Sequence, residues 1–133
     1  MIGILIVTHG RFGEEMVNTA GAIIGSQENI KTLQLPSEEA PDVLKNRLEI
    51  TLSELDQGQG TLIMTDMLGG TPCNICLPYV NKKNISIVSG VNLYMILTAL
   101  INRDKMALDE LTEKVAESGQ KNIVDVKKKF LKK

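Results

Sequence analysis

The run Ile2-Gly3-Ile4-Leu5-Ile6-Val7-Thr8-His9-Gly10 sets the architecture. It is apolar at alternate positions on both sides, the pattern of a parallel strand covered by helices on each face. It has no basic leader and is too short for a secretory signal, so it reads as a buried first strand. It then stops on a threonine, a histidine and a glycine. Such a polar triplet at the carboxyl end of a parallel strand falls where α/β sheets gather their ligands.

Outward from this strand, apolar runs of strand length alternate with segments of helical period. Phe12, Met16, Ala20, Ile23 and Ile24 recur every three or four residues and predict one helix face, closed by Gly25. Ile30 to Leu35 is a weaker strand. Leu44, Leu48, Leu52 and Leu55 mark a second helix, with Pro41 near its first turn and Gly58 beyond its end. Thr61 to Thr65 is a third strand and delivers Asp66 to its carboxyl end. Met67-Leu68-Gly69-Gly70-Thr71-Pro72 follows, with Thr71 predicted as a helix N-cap and Pro72 as the first helical residue; Pro78 stops or kinks that helix. Ile85 to Ser89 is the fourth strand, and Leu93 to Asn102 a nearly all-apolar, buried helix. Leu108, Leu111, Val115 and Ala116 define another helix closed by Gly119, and Ile123 to Val126 adds a short final strand. This order predicts an α/β fold: a doubly wound, mostly parallel sheet with helices on both faces.

At 133 residues the chain is one domain, residues 1–133. Fifteen Lys and Arg against sixteen Asp and Glu leave a formal charge of -1, without the basic stripe that nucleic acid requires. The one charge run, Lys127-Lys128-Lys129-Phe130-Leu131-Lys132-Lys133, reads as a solvated helix end. Asn84 to Asn102 carries no charge, yet Ser86, Ser89, Gly90, Asn92 and Thr98 interrupt it. It is therefore a strand, a turn and a buried helix, with no direct membrane insertion and a cytoplasmic chain. Two Tyr, two Phe and no Trp leave little to stack on a flavin or on bases, so no cofactor is expected.

His9 is the single histidine, which excludes chemistry that needs two. A lone histidine is more often structural, and Asp66 can equally cap the loop after it. In a 2-1-3-4 strand order, however, the first and third strands are neighbours. The Asp66 carboxylate can then hold one imidazole nitrogen and leave the other nucleophilic. Gly69, Gly70 and Thr71 add a turn that a phosphoryl group can approach, with free amides and a hydroxyl. Two glycines also serve any tight turn, but an oriented imidazole beside such a turn points to a histidine that accepts a phosphoryl group. Cys73 and Cys76 have the spacing of a redox dithiol, and with His9 the ligand count of a zinc site. The same spacing places two small apolar residues on one buried helix face, so no metal is expected.

Thr8-His9-Gly10, Gly25-Ser26-Gln27-Glu28-Asn29, Thr65-Asp66-Met67-Leu68-Gly69-Gly70-Thr71-Pro72 with Asn74, and Gly90-Val91-Asn92-Leu93 with Met95 occur in register. Together they resemble the IIA component of the mannose-type sugar phosphotransferase system (PTS), from Ile2 to about Gly119. The resemblance implies that His9 Nε2 takes a phosphoryl group from the phosphocarrier HPr and passes it to a histidine of a IIB protein. It implies that Asp66 holds Nδ1 and that the Gly70 and Thr71 backbone, with the Thr71 hydroxyl, binds the phosphoryl oxygens. It also implies a homodimer on a 2-1-3-4 sheet, with a fifth, antiparallel strand exchanged between partners. Arg11, Pro78 and the Cys73 to Cys76 stretch depart from the family's pattern. Two alternatives share the site: a regulatory phosphohistidine module without sugar transport, and the related phosphotransfer subunit of a dihydroxyacetone kinase, against which Gly10 argues. Thr8-His9-Gly10-Arg11 echoes histidine phosphatases, which need a second histidine.

Overall fold

In the computed structural model, which describes residues 1–35 and 38–131, the opening run becomes β1 (Gly3–His9). Every β1 residue before His9 is buried, because the strand lies inside the sheet and is covered on both faces. Its neighbours are β2 (Ile30–Leu35) and β3 (Thr61–Thr65), with β4 (Ile85–Ser89) beyond β3. The order is β2-β1-β3-β4, and every pairing is parallel. The register aligns the carboxyl ends: His9 pairs with Leu35, Val7 with Thr65, and Thr65 with Ser89.

Among the described residues, α-helices connect and flank these strands: α1 (Phe12–Ile24), α2 (Pro41–Leu55), α3 (Thr71–Asn74), α4 (Leu93–Asn102), α5 (Leu108–Lys121) and α6 (Val126–Leu131). Because strand side chains alternate between faces, β1 serves two cores. Ile4 and Ile6, with Leu62 and Met64 of β3, pack under Met16, Ala20, Met95, Ile96, Leu111 and Val115 of α1, α4 and α5. Leu5 and Val7, with Ile63, pack under Leu48, Leu52 and Leu55 of α2 and under Cys76. The doubly wound parallel sheet is as predicted.

Several local expectations are corrected. Phe12 and Ile23 lie 51% and 56% exposed, so the buried face of α1 is carried by Gly13, Met16 and Ala20. Gly25 does end α1, at φ 89° with its amide donating to the Gly21 carbonyl. Gly70, not Thr71, is the N-cap of α3, with Thr71 and Pro72 inside the first turn. That helix is only four residues long, and a single 3-10 turn, Leu77–Tyr79, carries the chain through Pro78. Gly119 does not terminate α5, which runs on to Lys121. Its missing side chain matters for packing, since a Cβ there would come within 2.6 Å of the Met95 sulfur. The α4 helix is only half buried, with Tyr94 and Ile101 facing out.

Among the described residues the short final antiparallel strand expected at Ile123 to Val126 is not formed. Residues 123–125 are irregular, and Val126 opens α6 instead. There the Asp125 carboxylate accepts from the Lys128 amide at 3.0 Å, a local capping bond that favours helix where no strand edge is paired.

Arg103 carries an unforeseen structural role. It is 2% exposed, and its guanidinium donates to the carbonyls of Ile2 (3.4 Å), Asn29 (3.1 Å) and Glu28, tying the end of α4 to the α1–β2 loop. Burial pushes its pKa down, opposed by the charges of Asp104 and Glu28. Arg103→Met keeps most of the volume but strands these carbonyls. It is expected to lose about 2–3 kcal/mol in urea unfolding.

Candidate functional site

His9 ends β1 and Asp66 follows β3, and the pairing of these two strands brings residues 57 apart in sequence into contact. The Asp66 Oδ2 atom lies 2.7 Å from His9 Nδ1 and also accepts from the His9 backbone N–H at 2.9 Å. Its other oxygen accepts from the Met67 amide at 3.0 Å. Burial pushes the Asp66 carboxyl up, but the amide, ring and charge of His9 and its own backbone outweigh this and hold it below the ordinary range. Asp66 is thus a carboxylate at neutral pH and can only accept, so Nδ1 carries the proton of this contact. In the neutral ring Nε2 then keeps its lone pair.

The ring is placed from both sides. Thr8, fully buried, accepts the Gly13 amide on its Oγ1 at 2.8 Å and so pins the start of α1 to the end of β1. Gly10 adopts φ 51° and donates to the Leu35 carbonyl at 2.7 Å, which turns the chain sharply after the histidine. On the far side Gly70 lies against the ring: a Cβ there would sit 2.8 Å from His9 Cε1 and 3.5 Å from Nε2. Gly69, at φ 85°, allows that approach, and its carbonyl accepts from Asn74 Nδ2 at 3.3 Å, which closes the turn.

No hydrogen bond among the described residues uses the Gly70 or Thr71 amide, or the Thr71 hydroxyl, and Thr71 is exposed. The partly exposed His9 ring thus has Nε2 next to Gly70, whose amide, like the Thr71 amide and hydroxyl, makes no hydrogen bond among the described residues. That arrangement suits an anion bonded to, or arriving at, Nε2. Close in sequence to His9 and Asp66, Phe12, Met67 and Leu68 are exposed, the last at 79%.

The predicted residues His9, Asp66, Gly69, Gly70 and Thr71 all come together at this edge, and Cys73 and Cys76 do not join them. Both cysteines are free and buried, and Cys76 donates to the Pro72 carbonyl at 3.3 Å. Burial pushes the Cys76 thiol up to about 12, with the neighbouring Cys73 adding to the rise, so it is a poor nucleophile. Among the described residues no group of three or more His, Cys, Asp or Glu side chains is placed to hold a metal ion. The sequence reading missed the anchoring role of Thr8 and the second bond from the His9 amide to Asp66. Only the Thr8–Gly13 spacing hinted at the first, and no local pattern signals the second.

The fold and site define a class: a parallel α/β protein that presents one carboxylate-oriented imidazole at the carboxyl edge of its sheet. The family model for the PTS system fructose IIA component matches residues 3–116, and the chain belongs to this mannose/fructose-type PTS IIA family. It is 31% identical to the PTS system mannose-specific EIIAB component of Escherichia coli, over 99% of this chain and 42% of that protein. It is 25% identical to the PTS system fructose-specific EIIA component of Bacillus subtilis, over 92% of this chain and 84% of that one. The phosphotransferase system component EIIA from Streptococcus agalactiae superposes with a TM-score of 0.85 at 30% identity, covering 96% of this chain and 98% of that one. The chain spans less than half the length of the mannose-specific relative. No described helix is long and apolar enough to cross a membrane.

Proposed function

We propose that the chain is a phosphoryl carrier of a sugar phosphotransferase system, accepting the group from HPr on His9 and passing it to a histidine of a IIB protein. The observation that carries this reading is the 2.7 Å contact of Asp66 with Nδ1, which frees Nε2 beside the Gly70–Thr71 turn. In the forward step the Nε2 lone pair attacks the phosphorus of the donor phosphohistidine. The new N–P bond forms as the donor's N–P bond breaks and its imidazole leaves with the bonding pair. The His9 ring, now protonated at Nδ1 and phosphorylated at Nε2, is cationic, and the Asp66 carboxylate stabilises that charge. The Gly70 and Thr71 amides and the Thr71 hydroxyl take up the phosphoryl oxygens. Onward transfer is the same step reversed, with the IIB imidazole as nucleophile. Exposed Phe12, Met67 and Leu68, which flank His9 and Asp66 in sequence, suit a protein donor and acceptor better than a free small molecule.

Incubation with phosphoenolpyruvate, enzyme I and HPr, followed by intact mass measurement, tests this directly. One acid-labile phosphoryl group per chain is expected, and a chain that stays unlabelled by its cognate donor overturns the reading. A chain that accepts the group but gives it to no IIB protein is instead the regulatory module.

Gly70→Ala probes the turn. The added methyl meets His9 Cε1 and, at 3.2 Å, Met67 Cγ, so the ring or the turn must move. The phosphotransfer rate is expected to fall about 10- to 100-fold, as misplacement by a fraction of an ångström to one ångström does. Stopped transfers with HPr would measure it; an unchanged rate would separate Gly70 from the reaction.

The exposed Tyr94 and Ile101 of α4, with Ile123 and Val124, leave more apolar surface than a small subunit usually shows, and β4 lies at the edge of the sheet. A homodimer covering these residues is proposed. Light scattering is expected to give twice the 14.6 kDa of one chain, and only the single-chain mass at micromolar concentration would rule it out.

A further inference from the structure

Asn74 closes α3 and is exposed, and it belongs to neither core. It nonetheless makes two bonds back to the turn before that helix. Its backbone N–H donates to the Gly70 carbonyl at 2.9 Å, and its side-chain amide donates to the Gly69 carbonyl at 3.3 Å. A carbonyl can only accept, so Nδ2 and not Oδ1 faces Gly69. One residue thus holds the carbonyls of two successive peptides.

In a planar trans peptide the N–H points opposite to the C=O. Because the Gly69 and Gly70 carbonyls both turn to Asn74, the N–H groups of Gly70 and Thr71 both turn away from it, and no hydrogen bond among the described residues uses either. Consecutive N–H groups presented together make a concavity for an anion. The two peptides are not held alike. The Gly70–Thr71 peptide is fixed by a backbone bond, whereas the Gly69–Gly70 peptide depends on a side chain: among the described residues, only Asn74 Nδ2 bonds the Gly69 carbonyl. That peptide also lies between two glycines, Gly69 at φ 85° and Gly70 at φ -81°. Turning it over carries Gly70 to positive φ, which glycine accepts at little cost. Once turned, it presents a carbonyl oxygen where the N–H had been, and that oxygen repels a phosphoryl group.

We propose that Asn74 is a positioning residue for phosphoryl transfer: its carboxamide locks the Gly69–Gly70 peptide so that the Gly70 N–H joins that of Thr71 as a donor to the phosphoryl oxygens on His9. The inference rests on the phosphoryl-accepting role proposed for His9, but not on which protein supplies the group. It also gives the Gly-Gly pair a cost. Glycine at both positions permits the close approach to the ring and, by the same freedom, needs a lock.

The amide resonances of Gly70 and Thr71 in the isotope-labelled chain test it, before and after His9 is phosphorylated with phosphoramidate, a small-molecule donor that needs no protein partner. In the wild type both amide protons are expected to move downfield on phosphorylation. In Asn74→Ala the Thr71 amide should move as before and the Gly70 amide less. Asn74→Asp gives a readout without phosphorylation. A carboxylate accepts and cannot donate, so it draws the turned-over N–H to itself, and the Gly70 amide should move downfield as that carboxyl ionises. The rate of acceptance from HPr should fall about 5- to 10-fold in Asn74→Ala, the weight of one neutral hydrogen bond. In Asn74→Asp it should fall at least about 100-fold, the cost of losing a donor aimed at developing charge. Both variants should unfold thermally close to the wild type. A Gly70 amide that ignores phosphorylation in the wild type, moves equally in wild type and Asn74→Ala, or ignores the carboxyl titration in Asn74→Asp overturns the proposal. A chain that shows these shifts with phosphoramidate yet takes nothing from HPr supports the role of Asn74 and overturns the proposed donor.

Discussion

His9→Ala is expected to abolish phosphoryl labelling completely, because His9 is the chain's single imidazole and no other side chain offers a comparable lone pair at this edge. The variant should remain folded: the ring is partly exposed, with 42% of its side-chain surface open, and its removal leaves both cores intact. Intact mass after incubation with phosphoenolpyruvate, enzyme I and HPr measures the first expectation, and circular dichroism the second. Acid-labile phosphate retained by this variant would place the reaction elsewhere and sink the proposed function. The Asp66 carboxylate would lose its ring partner but stay bonded to the backbone amides of residues 9 and 67, so the loop geometry should persist.

Asp66→Asn separates an orienting carboxylate from a capping one. An asparagine keeps one oxygen, which can accept from either the His9 or the Met67 amide but not both, so part of a cap would survive at a cost of about 1 kcal/mol. For the ring the change is larger. Asparagine brings no negative charge to the cationic phosphohistidine. It can also turn its amide donor toward Nδ1, which favours the tautomer with the proton on Nε2 and removes the attacking lone pair. The rate of phosphoryl acceptance from HPr is expected to fall at least about 100-fold, the lower end for loss of a proton-managing group. Near wild-type acceptance and donation would make Asp66 structural.

The stability difference between Asp66→Asn and wild type has a sign fixed by linkage. The folded carboxyl is held below its ordinary value of 3.8, so its contribution is present above that pH and lost as pH falls through the lower folded value. The difference in thermal unfolding should therefore be small at neutral pH and shrink further on acidification below 3.8. The rate loss, by contrast, should be evident at neutral pH, where the ionised carboxylate works.

What the amino-acid sequence determined by itself was local and periodic. The alternation in Ile2 to Val7 and Thr61 to Thr65 specifies strands buried on both faces, because each face must be covered by helices. Leu44, Leu48, Leu52 and Leu55 likewise specify one stripe of α2, and Gly25 an end to α1. From these units, the chemistry of His9, Asp66 and the Gly69–Thr71 turn could be located, since parallel strands deliver their loops to one edge. Tertiary structure decided what no period records. Strand pairing alone sets Asp66 at 2.7 Å from a ring 57 residues away and directs the His9 amide to the same oxygen. Nothing in the sequence sets Arg103 apart, and only packing buries it against carbonyls more than seventy residues distant. Gly119 read as a helix stop and proved to be room for Met95, because closeness of helices is a property of the assembled layers. The last segment, β-branched at Ile123, Val124 and Val126, matched a strand by propensity. In the single chain this segment pairs with no strand, so the Asp125 cap prevails and Val126 begins a helix: a strand's hydrogen bonds come from other chain segments, a helix's from its own.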